Sequence, residues 1–319
     1  MAIPYLYTDY GDFLRREFPF KVQKISINAG FTCPNRNGEK GWGGCTYCNN
    51  QTFNPAYCRT EKTITEQLEE GKRFFGRKYP EMKFLAYFQA YTNTYGEVGE
   101  VIRKYEEALA VPDVVGIVIG TRPDCMDGAT LDLLCDIARD RYVAVEYGIE
   151  STSDRTLRAV NRGHDFAAAR RAVRMTAERG LSVGGHFILG LPGETDAMLL
   201  EQTARINALP LTTVKFHQLQ VFRGTAMAAE YDTHPERFRF WTLDEYLDLF
   251  VEILRRLRPD LVVERFASEA PPRYHYGRNW GLVRNEQLLS MLERRLEERD
   301  VWQGEIFTTF VENKENNPQ

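Results

Sequence analysis

Short runs rich in β-branched and aromatic residues alternate with longer amphipathic segments along this chain. That alternation dictates a parallel sheet whose strands are joined by crossover helices. Strands are expected near Val22 to Ala29, Lys83 to Ala90, Val114 to Thr121, Tyr142 to Ile149, Leu181 to Leu189 and Thr213 to Gln220. Helix signals fall between them. Thr63 with Glu66 forms a capping box, Val101, Ile102, Tyr105 and Leu109 recur at helical spacing, and Leu131, Leu134, Cys135 and Ala138 make a second apolar stripe. Six β/α units with right-handed crossovers give an α/β fold, a partial (β/α)6 TIM-like barrel with all strand C-termini on one functional face.

The rhythm changes after Gln220. An aromatic, charged stretch through Trp241 leads into a helix from Leu243 to Leu257, a short strand near Val262 to Arg265 and a helix around Asn285 to Arg299. Residues 1–225 are therefore assigned to the barrel and its N-terminal cysteine loop. Residues 226–311 are assigned to a C-terminal α/β extension packed on the barrel, because no Pro/Gly/Ser-rich linker intervenes, and residues 312–319 to a polar, disordered tail.

Composition narrows the class. With 43 % hydrophobic residues among 319, the chain has ample material for a core. Acids and arginines interrupt the first twenty residues, no segment reaches the roughly 20 consecutive apolar residues of a spanning helix, and mean hydropathy is -0.44. A cytoplasmic protein without a membrane anchor is expected. The net charge of -4 argues against a wholesale nucleic-acid coat, while leaving room for a local basic groove.

Six cysteines are too few for a disulfide framework in a chain this long, so the Cys45-x-x-Cys48 pair points to metal or redox chemistry. Directly after the first expected strand, Cys33 precedes Cys45 by eleven intervening residues, and Gly38, Gly41, Gly43 and Gly44 lie between them. Glycines let a backbone wrap closely around a thiolate-held cluster. Three thiolates on four irons would leave one iron open to chelate the amino and carboxylate groups of S-adenosylmethionine (SAM). The spacing also admits a structural zinc site with Cys58 as fourth ligand, or a redox C-x-x-C that leaves Cys33 without a role. Cys135 lies in an apolar stripe and reads as a small hydrophobe.

Taken with Tyr10-Gly11 upstream, the run Tyr87-Phe-Gln-Ala-Tyr-Thr-Asn-Thr-Tyr95, Glu264-Arg265 and Trp302-Gln303, the cysteine loop resembles that of the YhcC-type radical SAM proteins. These are relatives of the radical domain of the Elongator catalytic subunit. The resemblance covers nearly the whole chain and implies a [4Fe-4S] cluster on Cys33, Cys45 and Cys48, with SAM as cosubstrate. It implies that Gln89 to Thr94 lies against the methionyl amino group, with Gln89, Asn93 and Thr94 as side-chain partners, although the residues themselves also read as a turn with Asn-Thr chemistry. It places Glu150 at the ribose hydroxyls and Arg162 at the cofactor carboxylate, where the residues themselves also allow an ordinary ion pair. It places the strand and turn carrying His186 and Gly190 against the adenine, although a lone histidine also reads as a satisfied core group. Glu146 and Glu150, four apart on one strand, share a face.

Lys215 and His217 share one face of the sixth strand with Leu219, while Gln218 and Gln220 share the other, so the strand either lines a wet cavity or is a solvated edge. Relatives in the Elongator group act on the C5 side chain of wobble uridine, which makes transfer RNA the expected substrate. Arg170, Arg171 and Arg174, then Arg255, Arg256 and Arg258, and the run Arg273, Tyr274, His275, Tyr276, Arg278 and Trp280 supply charge and aromatic surface for it. Arginines closing a helix also complement its dipole. Reduction calls for an electron donor such as flavodoxin or ferredoxin. A zinc-stabilised β/α scaffold that binds RNA or a protein partner is the non-catalytic alternative.

Overall fold

The computed structural model describes residues 6–76, 79, 81–281 and 283–308; the tail expected to be disordered, residues 312–319, lies outside them. Seven strands run parallel and pair in sequence order: β1 (Val22–Ile27), β2 (Lys83–Phe88), β3 (Val114–Thr121), β4 (Tyr142–Glu150), β5 (Ser182–Leu189), β6 (Thr213–Gln218) and β7 (Val262–Arg265). The six expected strands all form, with ends shifted by one or two residues. A seventh strand adds to the six: Val262–Arg265, in the C-terminal extension, joins the sheet beside β6. Its pairing makes β6 an inner strand and removes the solvated-edge reading of Lys215 and His217.

Ten helices are described: α1 (Tyr10–Glu17), α2 (Ile64–Phe75), α3 (Val98–Leu109), α4 (Gly128–Ala138), α5 (Asp154–Ala159), α6 (Phe166–Ala177), α7 (Asp196–Asn207), α8 (Ala226–Thr233), α9 (Leu243–Arg256) and α10 (Asn285–Arg299). Their starts follow ordinary capping chemistry. Thr63 and Glu66 close the predicted capping box on α2, and Thr242 and Glu245 close another on α9.

Strand alternation divides the apolar residues into two sets. Outward-facing residues such as Ile25, Ile27, Phe88, Ile117, Ile119 and Val145 join helix residues Leu68, Tyr105, Leu131 and Val173 in the main core. Inward-facing residues form layers. At the bottom Leu85, Tyr87, Val118 and Ala144 pack with Leu14 of α1 and with Phe18, whose ring meets Tyr142 edge-on at 5.2 Å. This short helix is thus the plug of the barrel's N-terminal end. Above the plug the inward positions turn polar: Lys24, Glu146, His186, Lys215 and Glu264.

The open side of the sheet lies between β1 and β7, and two devices close it. Inside, Lys24 of β1 reaches Glu264 of β7 at 2.7 Å. Outside, the segment before α1 runs beside β7, with Val263 N–H donating to the Thr8 carbonyl, and the Gln303 amide ties that segment to the chain end.

Candidate functional site

A cavity of about 460 Å³ opens above the polar layer, at the C-terminal ends of the strands. Cys33, Cys45 and Cys48 share its lining with Gln89, Glu150, Arg162 and His186.

The cysteine loop is held by backbone turns. Arg36 N–H donates to the Cys33 carbonyl (2.9 Å), Cys48 N–H to the Cys45 carbonyl (3.0 Å), and Thr46 N–H to Val160 (3.0 Å). Gly44 has φ +81°, a conformation that favours glycine; its N–H reaches the Asn35 carbonyl, and the Gly44 carbonyl accepts from Asn161 Nδ2. The side chains around the sulfurs are donors. Asn35 Nδ2 lies 3.7 Å and Arg162 Nη1 3.6 Å from Cys45 Sγ, and Asn50 Nδ2 lies 3.4 Å from Cys48 Sγ. Burial raises the Cys48 thiol, with Arg36 working in the opposite direction.

Cys58 stands apart from this wall. Its Sγ donates to the Ser26 carbonyl at 2.8 Å, and burial pushes the thiol up to about 12, so it is a protonated side chain with a local partner. Among the described residues no three His, Cys, Asp or Glu side chains are placed to hold a single metal ion. Cys58, bonded to Ser26, does not line the cavity with Cys33, Cys45 and Cys48.

The three-thiol wall does fit a larger thiolate-held group. It combines soft ligands, N–H donors directed at sulfur, and buried polar atoms without partners, among them Arg36 Nε, Tyr47 Oη, Thr92 Oγ1 and Arg162 Nε, all on cavity-lining residues. Such unpaired groups are costly unless something fills the space beside them.

Among the expected cofactor contacts, Gln89 lines the cavity and accepts from Ser26 Oγ at 3.0 Å. Glu150, at φ +71°, lies 3.6 Å from Arg162 Nη2, and Arg162 also donates to the Gly148 carbonyl. A register irregularity between Gly148 and Glu150 interrupts the alternation of β4, and the positive φ of Glu150 accompanies its turn into the cavity beside Glu146. His186 faces the cavity with Nε2 2.8 Å from Glu146.

Three expected contacts are placed elsewhere. Asn93 is buried with Nδ2 donating to the Phe88 and Gly120 carbonyls, and Thr94 is engaged by Thr121 Oγ1 and the Cys125 carbonyl. Both side chains hold the turn together, and Tyr91 and Thr92 take the cavity positions instead. Gly190, at φ +87°, lies against Trp241, where an added Cβ would come within 2.5 Å of the indole, and it does not line the cavity.

The polar layer forms the floor. Glu146, 2 % exposed, is met by Lys215 at 2.6 Å, Lys24 at 2.8 Å and His186 at 2.8 Å. Burial raises its proton affinity, but the two lysines outweigh that and hold the carboxyl well below its usual range. Burial also opposes the charge on Lys24, and Glu146 and Glu264 reverse it. At Lys215 burial wins, and its affinity for a proton falls. The sequence alone does not single out Lys24, Arg36 and Tyr47; the available signal for Lys24 is its alternation with Ser26 between the buried Ile25 and Ile27.

A second groove, of about 790 Å³, continues from the cavity through Gln218, Leu219, Gln220 and Ser268, which line both. His275, Arg278 and Trp280 from the aromatic and basic run line it, although Trp280 is fixed by its Nε1 donation to the Trp241 carbonyl and by its ring contact with Tyr246. Of the expected basic clusters, Arg255 and Arg256 pair with Glu252, Arg255 also with Glu305, and Arg258 with Asp260. Arg170, Arg171 and Arg174 are exposed on α6.

Residues 29–202 match the family described as the Radical SAM superfamily, and residues 211–298 match the Radical_SAM C-terminal domain. Protein YhcC of Escherichia coli K12 is 36 % identical over 271 residues, spanning 85 % of this chain and 86 % of that protein. Elongator complex protein 3 of Schizosaccharomyces pombe is 27 % identical over 205 residues, spanning 63 % of this chain and only 37 % of that protein. The solved structure of Methanocaldococcus infernus Elp3 shares the fold, with a TM-score of 0.67 at 14 % identity over 89 % of this chain and 64 % of that one. Matched by the superfamily over more than half its length, and by a relative of its own size at 36 % identity, the chain belongs to the radical SAM superfamily of enzymes.

Proposed function

We propose that the protein binds a [4Fe-4S] cluster through Cys33, Cys45 and Cys48 and uses it with SAM to modify the C5 side chain of a wobble uridine in transfer RNA. The observation that carries the first part is the sharing of one cavity, at the C-terminal ends of parallel strands, by three donor-surrounded thiols and by Gln89, Glu150, Arg162 and His186. When bound, such a cluster supplies reductive cleavage of SAM to a deoxyadenosyl radical that removes hydrogen from substrate.

The chain's own residues prepare for this by position and charge. Arg162 links Glu150 to Cys45, so one guanidinium can order a carboxylate of the cofactor while keeping Glu150 aimed at hydroxyl groups. Backbone groups near Gln89 to Thr92 offer acceptors for an ammonium. The transfer RNA reading rests on the relation to the Elongator catalytic subunit and on the groove that leads from the cavity past His275 and Arg278. An external donor, such as flavodoxin or ferredoxin, supplies the electron, and the cytoplasm is the compartment consistent with free thiols; no described helix is long and apolar enough to cross a membrane.

Anaerobic purification tests the first part: iron and deoxyadenosine formation after reduction with SAM are expected, and a colourless, zinc-containing protein inactive on SAM would overturn it. Nucleoside mass spectrometry of transfer RNA from a deletion strain tests the second. A changed wobble-uridine profile is expected, and an unchanged one counts against the substrate.

A further inference from the structure

The cavity floor contains a charge that the ion-pair layer does not consume. Lys24 and Lys215 are both met by Glu146 and by Glu264, at distances of 2.6 to 3.0 Å, so two cations face two carboxylates. Arg265, next along β7, also lines the cavity and is half-buried. Among the described residues no carboxylate forms an ion pair with it.

Local strand geometry accounts for its position. The β6–β7 register shifts between Val214 and Lys215, so that Val214 pairs with Val263 and Lys215 with Arg265, and Glu264 becomes an extra residue. A bulge places two consecutive residues opposite one and re-aims a side chain that regular alternation would send to the other face. Glu264 and Arg265 consequently both serve the interior. Arg265 acts electrostatically on Lys215 and on His217, whose imidazole is held neutral by burial first and by the surrounding His186, Arg265 and Lys215 charges next. His217 also faces His186, with ring centroids 5.6 Å apart, and lines the same cavity.

We propose that Arg265 and His217 form the oxyanion-reading end of the substrate site, where the guanidinium and an imidazole N–H hold a carboxylate or phosphate group of the substrate. This rests on the reading of the cavity as a radical site, and it deepens that reading by assigning the end remote in sequence from the cysteine loop to substrate. A guanidinium with no carboxylate partner in a half-buried wall recognises anions because desolvation strengthens the charge-assisted bond and its planar fork fits two oxygens. The ion-pair layer behind keeps the floor from collapsing around it.

The test uses reconstituted holoenzyme with SAM and selectively labelled histidine, which is tractable because the chain has five histidines. Acetate, inorganic phosphate and chloride are titrated at constant ionic strength while the His217 ring resonances are followed. Saturable shifts with acetate or phosphate but not chloride are expected, with affinity about tenfold weaker or worse in Arg265→Gln and partly kept in Arg265→Lys. The two oxyanions separate the sources: response to acetate alone assigns a substrate carboxylate, response to phosphate alone a phosphate. Equal affinity in a folded Arg265→Gln protein, or an identical response to chloride, would overturn the assignment. Failure of the radical reading itself is distinct, because wild-type protein would then form no deoxyadenosine.

Discussion

Glu146 is the most heavily committed side chain in the barrel, with three basic partners within 2.8 Å and almost no contact with water. Replacing it by Gln leaves Lys24 and Lys215 with Glu264 alone, an under-compensated buried charge that costs about 3–5 kcal/mol in proteins generally. Urea unfolding of Glu146→Gln should show a loss of that order, with the midpoint falling and the slope unchanged. The sign of the pH effect follows from the depressed folded-state value. Its contribution is fully present above the ordinary glutamate value of 4.5 and is lost as pH falls toward the folded value, so the wild type loses stability on acidification below that range while Glu146→Gln lacks this component. The cysteines give a second residue-scale prediction. Cys33→Ala should purify without a full complement of iron, whereas Cys58→Ala should keep it, because the Cys58 thiol is bonded to Ser26 rather than turned to the cavity. Equal iron loss in both would return Cys58 to the ligand set. Spacing singled out the cysteine trio and the acids of β4, which line one cavity, although Glu150 reaches it through a register irregularity and a positive φ that an even offset does not encode. Asn93, Thr94 and Gly190 were not legible, because whether a turn residue faces a cavity or braces the turn depends on partners such as Gly120, Cys125 and Trp241 that are distant in sequence.

At the scale of elements, the cysteine loop owes its position to contacts with the segment just past β3 and with the turn after α5. Asp124, just past β3, pairs with Arg122 (2.9 Å) and with Lys40 from the loop (3.0 Å), while Arg122 donates to the Arg162 carbonyl at 2.9 Å. Burial opposes the Asp124 charge, but Arg122 and Lys40 prevail and push its carboxyl down to about 2. The depressed value means that this stabilisation holds above the ordinary 3.8 and drains away as pH falls toward about 2, amounting to about 2 kcal/mol at neutral pH. Asp124→Asn should therefore lower stability by a similar amount at neutral pH. Amide hydrogen exchange should accelerate first in residues 36–44, the segment that Lys40 anchors; uniform acceleration across the sheet instead would show that the pair serves the barrel and not the loop. The strands themselves were readable because each is a short buried run bounded by turns. β7 was read as a strand but not as a member of the barrel. At four residues it carries too little pattern to reveal its neighbour, and its place beside β6 is set by pairing that only the folded chain displays.

Over the whole molecule the decisive feature is that the sheet is left open between β1 and β7 and is closed by parts from both ends of the chain. Gln303 makes this closure specific. Its Oε1 accepts from Thr8 N–H (2.9 Å), its Nε2 donates to the carbonyls of Arg258 and Leu261 (both 2.8 Å), and its own N–H reaches Leu6. One buried amide thus satisfies three backbone groups that no regular strand pairing reaches, which is why two segments nearly three hundred residues apart meet in a single register. The same segment leads into α1, the plug beneath the ionic layer, so the closure supports the floor on which Glu146, Lys215 and Arg265 stand. Gln303→Ala should cost about 2–4 kcal/mol, since it leaves buried donors and acceptors unpaired at about 1–3 kcal/mol each, part of which water recovers. Gln303→Glu keeps the acceptor for Thr8 but sets a buried carboxylate oxygen against the Arg258 and Leu261 carbonyls, and should be at least as destabilising as Gln303→Ala at neutral pH. The discriminating measurement is where the loosening occurs. If closure and floor are mechanically one unit, hydrogen exchange in Gln303→Ala should rise in residues 6–18 and along β7 together, while β3 and β4 stay protected. Faster exchange confined to the residues beside position 303 would mean that the barrel closes through the Lys24–Glu264 pair alone.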